Sequence, residues 1–167
     1  MKEDKILYSP WRIQYILSKK EKGCIFCVKP SEGDDKKNLI LYRSKHNFVI
    51  MNIYPYNNGH IMIVPYKHVA TMQDLNDDEL FDMIKTLRLS EKVIKKVYNP
   101  DGINVGMNLG KAAGAGIDEH LHIHVVPRWN GDVNFMTVIG GYRVIPESFE
   151  TTYFKLKEAF DNTDSEK

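Results

Sequence analysis

Three histidines alternate with apolar residues in His120-Leu121-His122-Ile123-His124-Val125-Val126-Pro127, and they are half of the six in the chain. Neutral imidazole carries one nitrogen lone pair and one N–H donor, and it changes charge near neutral pH. In an extended strand successive side chains point to opposite faces, so these three share one face, about 7 Å apart. Leu121, Ile123 and Val125 share the other. The apolar face suits a core, and the imidazole row suits an open cleft. A half-buried strand carrying incidental histidine accounts for one such residue better than for three in register. A single three-histidine metal site fits poorly, because three ligands along one strand are too spread out for one zinc. Attack on phosphorus fits better. One imidazole adds to a phosphate to form a covalent intermediate, and a neighbour supplies a hydrogen bond or a proton. That route requires no catalytic metal.

Phosphate chemistry needs donors for the phosphate oxygens. The run Gly110-Lys111-Ala112-Ala113-Gly114-Ala115-Gly116 lies just before the histidines, and glycine lets backbone N–H groups come close to an anion. It is not a Walker loop, because Ala112 follows Lys111 where Ser or Thr is required. Cys24-Ile25-Phe26-Cys27 is the third feature. A lone Cys-x-x-Cys is either a pair of partly buried thiols in an irregular segment or part of a structural zinc site. A redox role fits less well, since no thioredoxin-like helix start follows Cys27.

These groups need a scaffold. Residues 47–53 and 60–65 read as strands rich in Val, Ile, Phe and Met, separated by turn signals at Pro55 and Asn58-Gly59. A long helix begins near Asn76, with Glu79 three residues on. Its apolar stripe reads as Leu80, Phe81, Ile84, Leu87, Ile94 and Val97, and Pro100-Asp101-Gly102 ends it. Residues 103–108 and 121–127 are further strands. Ser9-Pro10 opens a helical segment over residues 9–20, and a polar loop runs through Asn38. Pro146 opens a final helix over about 147–160, burying Phe149, Tyr153, Leu156 and Phe160. Strands, then a helix, then strands predict an α+β fold with an antiparallel sheet. His46, His60 and Phe48 read as structural. Tyr54 and Tyr56 are sheet aromatics or pocket walls.

The chain has 167 residues, which suits one domain over 1–167 with a core of about 23–130. The formal net charge of +1 gives no basis for broad binding to nucleic acid or to a membrane surface. No apolar run approaches membrane-spanning length, and the start of the chain is polar. Two cysteines make no secreted disulfide framework, so the expected compartment is the cytoplasm.

The pattern His-x-His-x-His followed by two apolar residues resembles the signature of the histidine triad (HIT) superfamily of nucleotide hydrolases and transferases. Met51-Asn52, Pro55 and Gly59-His60-Ile61-Met62-Ile63-Val64-Pro65 resemble the family's first strand pair. Lys67-His68 and Met72-Gln73-Asp74-Leu75 resemble the segment leading into its long helix. Pro10-Trp11-Arg12, Cys24-Ile25-Phe26-Cys27 and Val126-Pro127-Arg128-Trp129 with Asn134-Phe135-Met136 resemble a bacterial branch of diadenosine tetraphosphate phosphorylases and hydrolases. The resemblance spans roughly residues 24–129. It implies a HIT-like sheet of about five strands with one long helix and short flanking helices.

The resemblance also implies roles. His122 is the expected nucleophile, giving a nucleotidyl-histidine intermediate, and His124 the expected phosphate contact. Asn108 is expected on the phosphate and Asn52 on the ribose, while Gly114 and Gly116 fall in the phosphate loop. Some family members carry Ser or Thr three residues before the first histidine, where it assists the leaving group; here that residue is Ile117. Relatives with a Cys-x-x-Cys complete a structural zinc site with a histidine before the long helix and with the first triad histidine, here His68 and His120 beside Cys24 and Cys27. The implied substrate is an adenine dinucleoside polyphosphate or a nucleoside phosphoramidate, with magnesium accompanying the nucleotide, and the implied assembly is a homodimer. The alternative is a nucleotide-binding signalling or scaffold protein with weak phosphoramidate hydrolase activity. Hexose-1-phosphate uridylyl transfer is disfavoured, since that branch fuses two triad domains and has Gln at the third triad position.

Overall fold

The computed structural model describes residues 23–140 and 144–164. The helical segment expected over residues 9–20, and Pro10-Trp11-Arg12 within it, lie outside the described residues. Five strands form one antiparallel sheet: β1 (Ile40–Arg43), β2 (Asn47–Met51), β3 (Ile61–Pro65), β4 (Gly102–Gly106) and β5 (Ile123–Arg128), in the order β1-β2-β3-β5-β4. All four pairings are antiparallel. Two helices, α1 (Ile25–Ser31) and α2 (Asp35–Asn38), precede the sheet. The long helix α3 (Asp77–Tyr98) joins β3 to β4, the short α4 (Phe135–Val138) follows β5, and α5 (Phe149–Asp164) comes last.

The sheet separates two apolar clusters. Val49, Met51, Ile61, Ile63, Ile123 and Val125 face α3 and α5 and pack with Val93, Ile94, Leu156 and Phe160. Phe48, Ile50, Met62 and Val64 occupy the opposite face with Ile40 and Phe26 of α1. β2 and β3 are therefore buried on both sides, which is why they read as unbroken apolar runs rather than alternating ones.

Several boundaries differ from the sequence expectation. β2 stops at Met51, and the segment from Asn52 turns away, with the Tyr54 N–H donating to Asn52 Oδ1 at 2.8 Å. β4 covers Gly102–Gly106 and leaves Asn108 beyond its end. β1 gives no clear signal in the sequence, because its four residues end in a polar turn and give alternation too little length to register. The expected loop through Asn38 contains α1 and α2, each too short to display a helical period. α5 begins at Phe149 rather than at Pro146, and Phe149 itself is exposed.

The start of α3 is as expected. Asn76 Oδ1 accepts from the Glu79 N–H at 2.9 Å, and Glu79 Oε2 accepts from the Asn76 N–H at 2.8 Å, a reciprocal cap. Its buried face is not as expected. Phe81 and Ile84 are 61% and 57% exposed, whereas Met83, Thr86, Leu89, Ser90, Val93 and Ile94 are buried. The Asp82 carboxylate explains the rotation. It accepts from Ser44 Oγ, the His46 N–H and Asn47 Nδ2 at 2.7–2.8 Å, tying that helical flank to the β1–β2 turn. Thr86 and Ser90 then let the helix lie close to the sheet, a fit that a search for large apolar residues overlooks.

Gly59 shows how tightly the β2–β3 turn is held. Its φ is +72°, and a Cβ there would lie 2.7 Å from a ring carbon of Tyr98. The Tyr98 hydroxyl donates to Glu147, which also accepts from Asn58 Nδ2, Thr152 Oγ1 and Lys155 Nζ. Burial works against the Glu147 charge, but these donors win and bring its carboxyl down to about 2. Gly59→Ala combines left-handed strain with a clash against an anchored ring, so we expect a loss of about 2–4 kcal/mol in urea unfolding. A variant within about 0.5 kcal/mol of the parent contradicts this packing.

Candidate functional site

β5 starts at Ile123, so of the three alternating histidines only His124 belongs to the strand. His120 and His122 lie on the approach to it, where the Leu121 N–H donates to the Val69 carbonyl at 2.6 Å. The alternation survives nonetheless: Leu121, Ile123 and Val125 enter the core under α3. The imidazoles take the face of Met62, the register partner of His124. They do not line an open cleft. His120 and His122 are 1% and 6% exposed, and His124 is half-buried.

Hydrogen bonds assign each ring a tautomer. His122 Nδ1 lies 2.8 Å from the His120 carbonyl, which can only accept. Nδ1 therefore carries the proton, and Nε2 of His122 holds the lone pair. His60 shows the opposite arrangement. Its Nδ1 accepts the Tyr56 N–H at 3.0 Å and lies 3.4 Å from Asn52 Nδ2. Its Nε2 therefore carries the proton, donated to His124 Nδ1 at 2.9 Å. This leaves His124 with a proton on Nε2. The two adjacent rings, with centroids 4.8 Å apart, thus present a lone pair and a donor respectively.

Burial keeps His60 and His124 neutral. It is the main cause of a His60 pKa of about 3, with the His124 and His122 rings adding to it. For His124 burial again leads, with His122 second, and the value is about 4. The Tyr56 ring stacks on His124 at 5.5 Å between centroids and leans on His60 at 4.6 Å. The sequence alone gives His60 a structural reading. Its place in this relay depends on a turn that folds Tyr56 back over it, and spacing alone gives no signal of that.

The expected substrate contacts are less tightly grouped. Asn52 adjoins His60, as described. Asn108 is half-buried two residues beyond Gly106, the register partner of His124, where the β4–β5 pairing ends. Gly110 and Gly114 have φ of +83° and +88° and flank the 3₁₀ turn Lys111–Ala113, while Gly114 and Gly116 are exposed. No described hydrogen bond joins this loop to the imidazoles. Ile117 packs with Phe26 and its neighbours, as its apolar side chain dictates.

Cys24, Cys27, His68 and His120 converge, with one ligand atom from each lying within 4.8 Å of the others. Cys24 Sγ to His120 Nδ1 is 3.2 Å, Cys27 Sγ to His68 Nδ1 is 3.3 Å and to His120 Nδ1 3.6 Å, and the two Nδ1 atoms are 3.2 Å apart. Zinc bond lengths in a regular tetrahedron give edges of about 3.3 Å between nitrogens and about 3.5 Å between nitrogen and sulfur. His120 Nε2 donates to the Pro65 carbonyl at 2.9 Å, which leaves its Nδ1 lone pair facing the cluster. The four residues fit a tetrahedral metal ion. Burial, then the neighbouring Cys24, pushes the Cys27 thiol up.

The chain is similar to known proteins over most of its length. An AP-4-A phosphorylase of Mycobacterium tuberculosis (strain CDC 1551 / Oshkosh) is 48% identical over 118 residues, 71% of this chain, which spans 60% of that enzyme's length. An uncharacterized HIT-like protein of Methanocaldococcus jannaschii is 37% identical over 109 residues, covering 65% of this chain and 81% of its own. The structure of a zinc-bound histidine triad family protein from Mycobacterium smegmatis superposes with a TM-score of 0.69 at 26% identity, covering 87% of this chain and 98% of that one. The HIT domain family model matches residues 34–131, from the N-cap of α2 to the turn after β5, and the chain belongs to that family.

Proposed function

We propose that this protein is an enzyme that cleaves a phosphoanhydride next to a nucleoside monophosphate, acting on diadenosine polyphosphates as a phosphorylase or hydrolase. The observation that carries the reading is the pair of opposed tautomers. His122 Nε2 attacks the phosphorus, and its Nδ1–H, held by the His120 carbonyl, stabilises the charge that develops on the ring. His124 donates from Nε2 to a phosphate oxygen or to the leaving group, while His60 fixes its orientation. Asn52 holds the ribose, and Asn108 with the loop through Gly114 and Gly116 holds phosphate. Magnesium accompanies the nucleotide. The 48% identity to a mycobacterial phosphorylase supports the substrate class.

The nucleotidyl group then passes from His122 to an acceptor. Departure of the leaving polyphosphate frees the site by the Gly110–Gly116 loop and Lys111, where inorganic phosphate is poised by proximity. We expect incubation of the protein with diadenosine tetraphosphate and phosphate to yield ADP plus ATP, with phosphate accelerating the reaction. AMP plus ATP at an unchanged rate makes it a hydrolase. No cleavage under either condition removes the reading.

Zinc is the proposed occupant of the Cys24, Cys27, His68 and His120 cluster, because two thiolates and two imidazoles suit it. It supplies structural cross-linking, and no catalytic step passes through it. Two free thiols directed at a metal site suit a reducing compartment, hence the cytoplasm. Among the described residues no helix is long and apolar enough to cross a membrane.

The proposed assembly is a homodimer. Among the described residues β4 is an edge strand, with Val105 51% exposed and one row of backbone donors and acceptors without a neighbouring strand. On α3, helical spacing puts Leu80, Ile84 and Leu87 on the flank opposite Asp82, which is the side away from β1. A second copy pairing along β4 covers both features. Light scattering should give twice the chain mass at micromolar concentration, and Val105→Lys should halve it. A monomeric parent protein contradicts the dimer.

A further inference from the structure

We propose that Phe26 is a positioning residue for His122, and that a metal ion held by the two cysteines bracketing it keeps it there. The inference rests on the reading of His122 as nucleophile. Among the described residues a single hydrogen bond, from Nδ1–H to the His120 carbonyl, fixes the His122 tautomer but leaves the ring free to swing about that bond. Its faces must be packed. On one side His124 meets it nearly edge-on, at an interplanar angle of 75°. Elsewhere Phe26, 1% exposed, lies 5.2 Å from it between ring centroids and 5.5 Å from the ring of His120.

Phe26 sits in the first turn of a seven-residue helix that contains Pro30 and has no side-chain cap. A helix this short is not stable by itself in water. Its anchorage comes from what it touches. Phe26 rests on Ile40, Phe48, Ile50, Met62 and Val64, and the flanking cysteines reach His68 and His120. Four metal bonds make that second anchorage rigid, whereas without the ion only weak thiol–imidazole contacts remain. His120 adds a second arm, because its ring belongs to the cluster while its carbonyl receives the His122 proton. Metal occupancy and the placement of the His122 ring are thereby coupled, and the coupling acts in both directions.

The test uses the full-length zinc-loaded protein with ¹⁵N-labelled histidine. Long-range ¹H–¹⁵N spectra report the tautomer and mobility of each ring. In the loaded protein His122 is expected as one sharp species protonated on Nδ1. Chelation, or Phe26→Leu with its zinc retained, is expected to broaden the His122 signals or to mix tautomers. It should also lower kcat by roughly tenfold to a hundredfold with KM changed less than about threefold. A folded, zinc-loaded Phe26→Leu protein with parental His122 signals and kcat overturns the proposal. Should that variant not fold, parental His122 signals in the chelated wild-type protein overturn it instead. A loaded wild-type protein that orders His122 but cleaves no dinucleotide removes the proposed activity, while the ring spectra still decide the role of Phe26.

Discussion

His122→Ala is expected to abolish turnover of diadenosine tetraphosphate while leaving nucleotide binding within about threefold of the parent. The reason is geometric. Among the triad imidazoles, His120 turns its free nitrogen toward the cysteines and His124 receives a proton there from His60, so among the described residues His122 alone holds an uncommitted lone pair. Losing the covalent route costs on the order of four or more powers of ten in kcat. Binding is expected to survive because the proposed ribose and phosphate contacts, Asn52 and Asn108, lie on other residues. Rapid-quench kinetics and isothermal titration on the purified variant measure the two effects separately. Turnover within tenfold of the parent would mean that the phosphorus is attacked by something else.

The second large effect concerns the metal. Protein purified without added metal is expected to contain one equivalent of zinc, and chelation is expected to lower its melting temperature by about 10 °C. The figure follows from linkage: an ion at a thousand times its Kd stabilises by about 4 kcal/mol, and each kcal/mol moves a domain of this size by about 2–4 °C. Cys27→Ser should reproduce the shift, with no further response to chelator. The apolar clusters on both sheet faces do not depend on the ion, so the chelated protein should melt cooperatively rather than be unfolded. Less than about a tenth of an equivalent of zinc, together with an unchanged melting curve in chelator, removes the metal from the account.

How much of this was legible in the residues depended on the range of the interaction. The alternation at 120–124 needs only strand geometry, and the split between core face and histidine face holds even where β5 has not yet begun. The convergence of Cys24 and Cys27 with His68 and His120 spans 96 residues and came from family resemblance, since no spacing rule predicts it. The rotation of α3 is not legible in its apolar stripe, because a single carboxylate, Asp82, and two small residues outweigh two exposed large ones. The part of His60 was invisible for a related reason. A ring's tautomer is decided by its partners, and those are supplied by a turn closed through Gly59, Tyr98 and Glu147.

The donor chain from the Tyr56 main chain through His60 to His124 has a polarity. Each ring receives at Nδ1 and gives at Nε2, so their dipoles align and the positive end emerges at His124. His122 is wired in reverse and shows its negative end beside it. The site can therefore offer a phosphate oxygen a neutral donor at His124 beside the lone pair of His122. The attraction of such a donor is short-ranged and only weakly screened by salt, unlike that of an exposed lysine or arginine. It also persists in mild acid, because His124 remains neutral down to a pH of about 4 and His60 to about 3.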